Sequence, residues 1–170
     1  EGIRRVRFTS PYPADFTPRV IEAMAGTPNV CEHVHLPVQS GSNAVLRRML
    51  RRYTRERYLE VARDPRQAMP GVTLSTDIIV GFPGETEAQF EETLSLVAEA
   101  DFDDAYTFKY SVRDGTPAAR LGDHLPDEVA GARLERLIEV VRANVRRKNV
   151  ARVGQIHEVL VERPARRGGL

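Results

Sequence analysis

Two stretches of the chain combine a continuous apolar strand with a glycine-containing loop and the start of a helix. The first is HVHLPVQSGS at residues 33–42, and the second is TDIIVGFPGET at residues 76–86. Strands that are apolar along their whole length are typical of parallel sheets covered on both faces. Ligands of such sheets bind beyond the carboxyl ends of the strands. We therefore expect the functional site in these two loops.

The rest of the apolar pattern predicts further strands and helices. Strands are predicted at residues 6–10, 33–38, 72–80, 105–111 and 153–161. Helices are predicted to begin at Thr17, Ser42, Thr54, Thr86 and Asp127. A break or kink is expected at Asp64 and Pro65, because the residue before a proline avoids the helical conformation. The alternation of strands and helices predicts a right-handed parallel α/β array, either a barrel or an open sheet.

Composition favours a water-soluble protein of a reducing compartment. The chain has 170 residues, of which 29% are charged, and no stretch has the apolar length needed to span a bilayer. Its single cysteine, Cys31, excludes an internal disulfide and cannot hold a metal cluster alone. The first residues, Glu1 and Gly2, are preceded by no initiator methionine, which suggests a piece of a longer protein.

Each of the two loops can be interpreted either as a ligand-binding segment or as an ordinary turn. Gln39 and Ser40 suit sugar hydroxyls or a carboxylate, or they are the polar residues of an ordinary turn. Residues 81–84 would let a flat ligand approach the backbone, or they only form a turn. No dinucleotide-binding glycine pattern or phosphate-binding loop is present in the chain. Asp77 lies in an apolar strand and needs a partner, which is a ligand, Lys109 or Tyr110.

Several longer blocks resemble the radical SAM methylthiotransferases. The blocks are HLPVQSGS at 35–42, RYT at 52–54, STDIIVGFPGET at 75–86, FKYS at 108–111 and GTPAA at 115–119. The resemblance extends from about residue 6 to residue 161. His35 and Ser40 favour the branch that methylthiolates isopentenyladenosine beside the anticodon of tRNA over the branch that modifies a ribosomal protein. A third branch, which acts on threonylcarbamoyladenosine in tRNA, has a similar sequence at these positions.

The resemblance implies an α/β fold that is part of a radical SAM barrel. Residues 1–150 would hold strands three to six with their helices, and residues 151–170 would begin a small TRAM-like RNA-binding β-barrel. The implied cofactors are S-adenosylmethionine and two 4Fe-4S clusters, whose cysteines this chain lacks. The implied partners are the anticodon region of tRNA and an electron donor, in the cytoplasm and without a membrane. We expect this chain alone to be inactive, because one thiol cannot supply the ligands of a cluster.

The resemblance also implies residues that bind the cofactor. Gln39 and Ser40 would contact its ribose or methionine groups. The adenine would pack against the loop that contains Gly81, Phe82 and Gly84, with Ser10 and Tyr110 at the rim. No metal ligand or catalytic residue is assigned.

One residue departs from the usual radical SAM pattern. Glu85 follows Gly81 by four residues instead of three, which leaves its role open. Two other functions remain possible interpretations: a different α/β enzyme with a non-iron cofactor, and an RNA-binding module without chemistry. The cations of that RNA-binding module would be Arg142, Arg146, Arg147, Lys148, Arg152, Arg163, Arg166 and Arg167.

Overall fold

Three parallel strands form the sheet at the centre of the protein. The computed structural model describes residues 2–9 and 11–161. The strands are β1 (His33–His35), β2 (Thr73–Val80) and β3 (Asp104–Lys109), in the spatial order β1-β2-β3. Both pairings are parallel, as the alternation of strands and helices predicts. The carboxyl ends of all three strands therefore lie along one edge.

Five α-helices connect and cover these strands. They are α1 (Pro18–Ala25), α2 (Asn43–Arg48), α3 (Arg55–Ala68), α4 (Glu87–Ala100) and α5 (Asp127–Ala151). The Thr54 hydroxyl accepts the Arg57 amide at the start of α3. Thr86 and Gln89 form a reciprocal capping box at the start of α4. Within the described residues, no helix is both long and apolar enough to cross a membrane.

The two faces of β2 have different surroundings. One face of β2 is buried and consists of the alternate residues Leu74, Thr76, Ile78 and Val80. Leu74, Ile78 and Val80 belong to the hydrophobic core that the helices complete. On the opposite face, Asp77 and Ile79 are only half-buried. The expectation of a sheet covered on both faces is thus wrong for the described residues. One face that packs against helices and one that faces inward are characteristic of a barrel.

The first two predicted strands are shorter than expected. Instead of a strand at 6–10, Val6 makes a single parallel bridge with Val30. The strand predicted at 33–38 ends as β1 at His35, and its pairing resumes only at a bridge from Gln39 to Ile78. The Val38 amide donates to the Thr76 hydroxyl at 3.0 Å and the Gln39 amide donates to the Asp77 carbonyl at 2.8 Å, so the regular backbone ladder is interrupted between Leu36 and Gln39.

Pro65 does not break α3, so of the break or kink that the sequence predicts the break is wrong. The helix continues through Pro65 to Ala68, and the Met69 amide donates to the Pro65 carbonyl at 2.8 Å. Pro65 lies in the last turn and is buried, so the loss of one backbone hydrogen bond is offset by packing. A proline in the last turn of a helix can therefore be accommodated without ending the helix, even though the sequence predicts a break or kink.

The strand predicted at 153–161 is absent from the structure. Val153, Ile156 and Val159 are largely exposed, and within the described residues no strand pairs with this segment. An apolar alternation cannot form a strand without a partner. The predicted domain at 151–170 remains a prediction, because residues 162–170 lie outside the described part of the chain.

We predict opposite effects for alanine at two glycines that flank the contact between β2 and α5. Gly81 has φ +73°, and a Cβ there would lie 2.7 Å from the Cβ of Ala130. Gly81→Ala should therefore destabilise the protein by about 2–4 kcal/mol in urea unfolding. Gly131 is in the interior of α5 with open space around it. Gly131→Ala should stabilise by about 0.5–1 kcal/mol, and equal effects of the two variants would contradict the prediction.

Candidate functional site

A cleft of about 540 Å³ opens at the carboxyl ends of the strands. It is lined by Gln39, Arg48, Met49, Leu50, Arg51, Asp77, Ile79, Phe82, Phe108, Lys109, Tyr110, Ser111, Arg113, Thr116, Pro117 and Ala118. The residues that follow all three strands thus contribute to one site. Its volume is in the range of small-molecule binding sites.

The structure brings together three of the seven residues that the sequence analysis assigns to the cofactor. Gln39, Phe82 and Tyr110 line the cleft. The other described residues of the set, Ser40, Gly81 and Gly84, are not among its lining residues. Ser10 lies outside the described residues. Binding of the cofactor by these residues stays a prediction.

Gln39 is held in an uncommon backbone conformation at the cleft. Its φ is +69°, which is unfavourable for a residue with a side chain. Its amide donates to the Asp77 carbonyl at 2.8 Å, and its carbonyl accepts the Ile79 amide at 2.9 Å. These two bonds to β2 offset the strain and fix the position from which Gln39 lines the cleft.

Ser40 connects the first loop to α4. Its side chain is fully buried, and its hydroxyl lies 3.3 Å from the Thr93 hydroxyl and accepts the Ser42 amide at 3.2 Å. The Gly41 amide donates to the same Thr93 hydroxyl at 2.9 Å. The Ser40 hydroxyl is therefore used within the protein, which is the ordinary-turn interpretation for this residue.

The second loop is also fixed by protein contacts. The Gly84 carbonyl accepts a hydrogen bond from Arg48 at 2.8 Å, and the Gly84 amide donates to the Asp123 carbonyl at 2.6 Å. Through these two hydrogen bonds, Gly84 connects Arg48, which lines the cleft, with the segment that precedes α5.

Glu85 points into the contact between this loop and α5. Its side chain is fully buried, and Oε2 accepts the Gly81 amide at 2.8 Å and a hydrogen bond from Arg133 at 2.9 Å. Burial raises the pKa of Glu85, while the Gly81 amide and the Arg133 guanidinium act in the opposite direction. Glu85 is not among the lining residues of the cleft, so the structure assigns it a positioning role.

Asp77 has a partner that the sequence analysis missed. Its Oδ1 lies 3.3 Å from Nε2 of His35, and Nδ1 of His35 lies 2.9 Å from the Ser75 hydroxyl. Lys109, an expected partner, contacts Asp127 instead. Only the register of β1 on β2 could have indicated the pairing of His35 with Asp77. In the described part of the chain, no three His, Cys, Asp or Glu residues form a possible metal site.

An aromatic wall forms one side of the cleft. The ring of Tyr110 is edge-on to Phe82, with 5.2 Å between centroids, and stacks on His124 at 5.9 Å. The Tyr110 hydroxyl is buried and has no hydrogen-bond partner among the described residues. A buried hydroxyl without a partner is costly in the absence of a ligand. His124 carried no sequence signal that linked it to the site.

The basic end of the chain is partly neutralised in the structure. Arg147, Lys148 and Arg152 form ion pairs with Asp101 and Asp103. Arg142 and Arg146 form no ion pair with the described residues, and the arginines at positions 163, 166 and 167 lie outside the described part of the chain. The interpretation of the tail as an RNA-binding module stays a prediction.

A family model described as "Radical SAM superfamily" matches residues 1–97. The chain belongs to the radical SAM superfamily. This superfamily implies S-adenosylmethionine and a 4Fe-4S cluster as cofactors. The sequence resemblance stated above is therefore confirmed at the level of the superfamily.

Similar curated proteins include several named tRNA-2-methylthio-N(6)-dimethylallyladenosine synthase. The chain is 55% identical over 162 residues to the synthase of Clostridium botulinum strain Langeland. The aligned region covers 95% of this chain and 36% of that relative. The chain is 52% identical over 166 residues to the synthase of Moorella thermoacetica, covering 98% and 37%. The radical SAM chain thus spans about a third of the length of these relatives.

A solved radical SAM enzyme has a similar fold. Coproporphyrinogen III oxidase (HemN) from Escherichia coli matches with a TM-score of 0.61 over 89% of this chain and 32% of that one. The sequence identity is 18%, so this likeness concerns the fold alone. It supports the barrel-like arrangement of the described strands.

We predict that loss of Arg133 destabilises the protein in a pH-dependent manner. Arg133→Met leaves Glu85 buried without its cation, which should cost about 3–5 kcal/mol at pH 8. The pKa of Glu85 in the folded variant then lies further above its unfolded value. Stability is consequently retained at low pH and lost as the pH rises through the folded pKa. Urea unfolding at pH 5 and pH 8 should show the smaller deficit at pH 5.

The double variant Glu85→Gln with Arg133→Met serves as the control. It has no buried charge, so its deficit relative to the wild type should depend little on pH. A deficit of Arg133→Met that is equal at both pH values would show that Glu85 is not the source of the effect.

Proposed function

We propose that the chain is part of a radical SAM methylthiotransferase that adds a methylthio group to C2 of N6-isopentenyladenosine beside the anticodon of tRNA. The observation that carries this proposal is the 55% identity, over 95% of the chain, to relatives named for that synthesis. The shared sequence extends over the residues that form the cleft. The proposed partners are tRNA and an electron donor, and the proposed location is the cytoplasm.

The cleft fits S-adenosylmethionine. It combines an unpaired buried hydroxyl on Tyr110, the amide-bearing side chain of Gln39 and the apolar ring of Phe82. We propose that Tyr110 and Gln39 orient polar groups of the cofactor, while Phe82 contacts its adenine and excludes water. When bound, S-adenosylmethionine is the molecule that the cluster of the superfamily cleaves. In this proposal, Ser40, Gly81 and Gly84 do not contact the cofactor, and they contribute to its binding by fixing the conformation of the two loops.

The residues of this chain do not fit an iron–sulfur cluster. Such clusters are held by several cysteine thiolates, and the chain has only Cys31. We propose that the longer protein binds two 4Fe-4S clusters through cysteines outside this chain. The chain would then contribute the polar and aromatic side of the cofactor site.

A tyrosine-to-phenylalanine pair tests the cofactor site in the full-length protein. Tyr110→Phe should weaken S-adenosylmethionine binding by about 1 kcal/mol, because one hydrogen bond is lost. Its free energy of unfolding should not fall, because the hydroxyl has no protein partner among the described residues. Titration calorimetry and urea unfolding measure the two quantities.

Tyr58→Phe is the matched control. The buried Tyr58 hydroxyl donates to the Leu36 carbonyl at 2.7 Å, and neither residue is among those that line the cleft. This variant should lose about 1 kcal/mol of stability and keep its affinity for the cofactor. Unchanged cofactor affinity in Tyr110→Phe would remove Tyr110 from the site.

Mass spectrometry of tRNA nucleosides tests the proposed reaction. Deletion of the full-length gene should abolish 2-methylthio-N6-isopentenyladenosine and leave the unmodified isopentenyladenosine in its place. The wild-type gene should restore the methylthio group. Loss of a methylthio group from threonylcarbamoyladenosine instead would assign the protein to the other tRNA branch. An unchanged nucleoside profile would contradict both.

A further inference from the structure

The cations of the protein fall into two groups according to their partners. On the side formed by α3, α4 and α5, basic side chains are paired with carboxylates. The pairs include Arg55 and Arg63 with Glu99, Arg136 with Glu87 and Glu91, and Lys148 and Arg152 with Asp103. Arg142 and Arg146 of α5 are exceptions, because they form no ion pair with the described residues.

The cleft has the opposite character. Arg48, Arg51, Lys109 and Arg113 line it together with a single carboxylate, Asp77. Of these cations, Lys109 pairs with Asp127, and Arg48 donates to the Gly84 carbonyl. Within the described residues, Arg51 and Arg113 form no ion pair, and the buried Nε of Arg51 has no hydrogen-bond partner. An unpaired guanidinium nitrogen in a cleft is expected to bind an anionic group, since its desolvation is otherwise uncompensated.

The surroundings of the two arginines resemble those of a site for single-stranded RNA. Phe108 lines the same cleft, and about half of its surface is exposed. Arg113 is exposed, and Leu50 beside Arg51 is 73% exposed, which places this part of the cleft in contact with solvent. Cations next to an exposed aromatic ring can contact phosphates while a base stacks on the ring.

We propose that Arg51 and Arg113 bind backbone phosphates of the RNA next to the nucleoside that is modified. This inference rests on the proposed function, because it takes tRNA as the substrate. The carboxylate of S-adenosylmethionine is another anion of suitable chemistry. Arg113 is exposed and Arg51 is half-buried, and two guanidinium groups exceed what one carboxylate requires, which favours the repeated charges of an RNA backbone.

Salt-dependent binding of tRNA to the full-length protein tests the proposal. The double variant Arg51→Gln with Arg113→Gln should reduce the slope of log K against log salt concentration by roughly 1.4 to 2, the value for two lost phosphate contacts. Its affinity for S-adenosylmethionine should be unchanged. Arg51→Lys with Arg113→Lys should retain most of the slope, because the charges remain. Circular dichroism melting establishes that the variants are folded.

Arg142→Gln with Arg146→Gln is the matched control, because it removes two arginines of α5 that form no ion pair in the described part of the chain. We expect it to leave the slope unchanged. Equal slopes for the cleft variant and the wild type, or an equal reduction in the control, would overturn the proposal. Loss of cofactor affinity with an unchanged slope would assign the arginines to the cofactor carboxylate and overturn it as well.

The failure of this inference can be distinguished from failure of the proposed function. A wild-type protein that methylthiolates tRNA, combined with an unaffected slope in the cleft variant, contradicts only the phosphate contacts. A wild-type protein that neither binds nor modifies tRNA contradicts the proposed function, and the inference with it.

Discussion

The parallel pairing of β2 with a neighbour on each side is the constraint on which the rest of the structure depends. It brings the residues that follow β1, β2 and β3 to one edge, where Gln39, Phe82 and Tyr110 line a common cleft. The same pairing divides β2 into a buried face that packs against helices and a partly polar face. Core formation and the assembly of the site thus use alternate residues of one strand.

The contact between the second loop and α5 secures this arrangement. A buried ion pair is favourable only if its polar groups have partners, because the desolvation of both charges is costly. Oε2 of Glu85 has such partners in Arg133 and the Gly81 amide, and Arg133 also donates to the Glu85 carbonyl at 2.9 Å. Oε1 has no partner among the described residues. The long helix α5 therefore fixes the path of the loop through Arg133.

Local sequence signals predicted the features that depend on local interactions. The helix starts at Thr54 and Thr86 follow from side-chain hydrogen bonds that close within three residues. The continuation of α3 through Pro65 depends instead on tertiary burial, and the absence of a strand at 153–161 depends on the lack of a neighbouring strand. The pairing of His35 with Asp77 depends on strand register, which no local pattern contains.

The candidate site shows that sequence resemblance and contact with a ligand are different properties. Within the blocks that carry the resemblance, the Ser40 hydroxyl lies 3.3 Å from the Thr93 hydroxyl, and Oε2 of Glu85 bonds to Gly81 and Arg133. The Tyr110 hydroxyl belongs to the same blocks and has no partner among the described residues, and the same is true of Oε1 of Glu85. Because an unpaired buried polar group costs free energy, it persists only where something else compensates it. Of these two groups only Tyr110 lines the cleft, so unused hydrogen-bonding capacity together with position in the cleft, and not sequence resemblance alone, indicates where a ligand would be held.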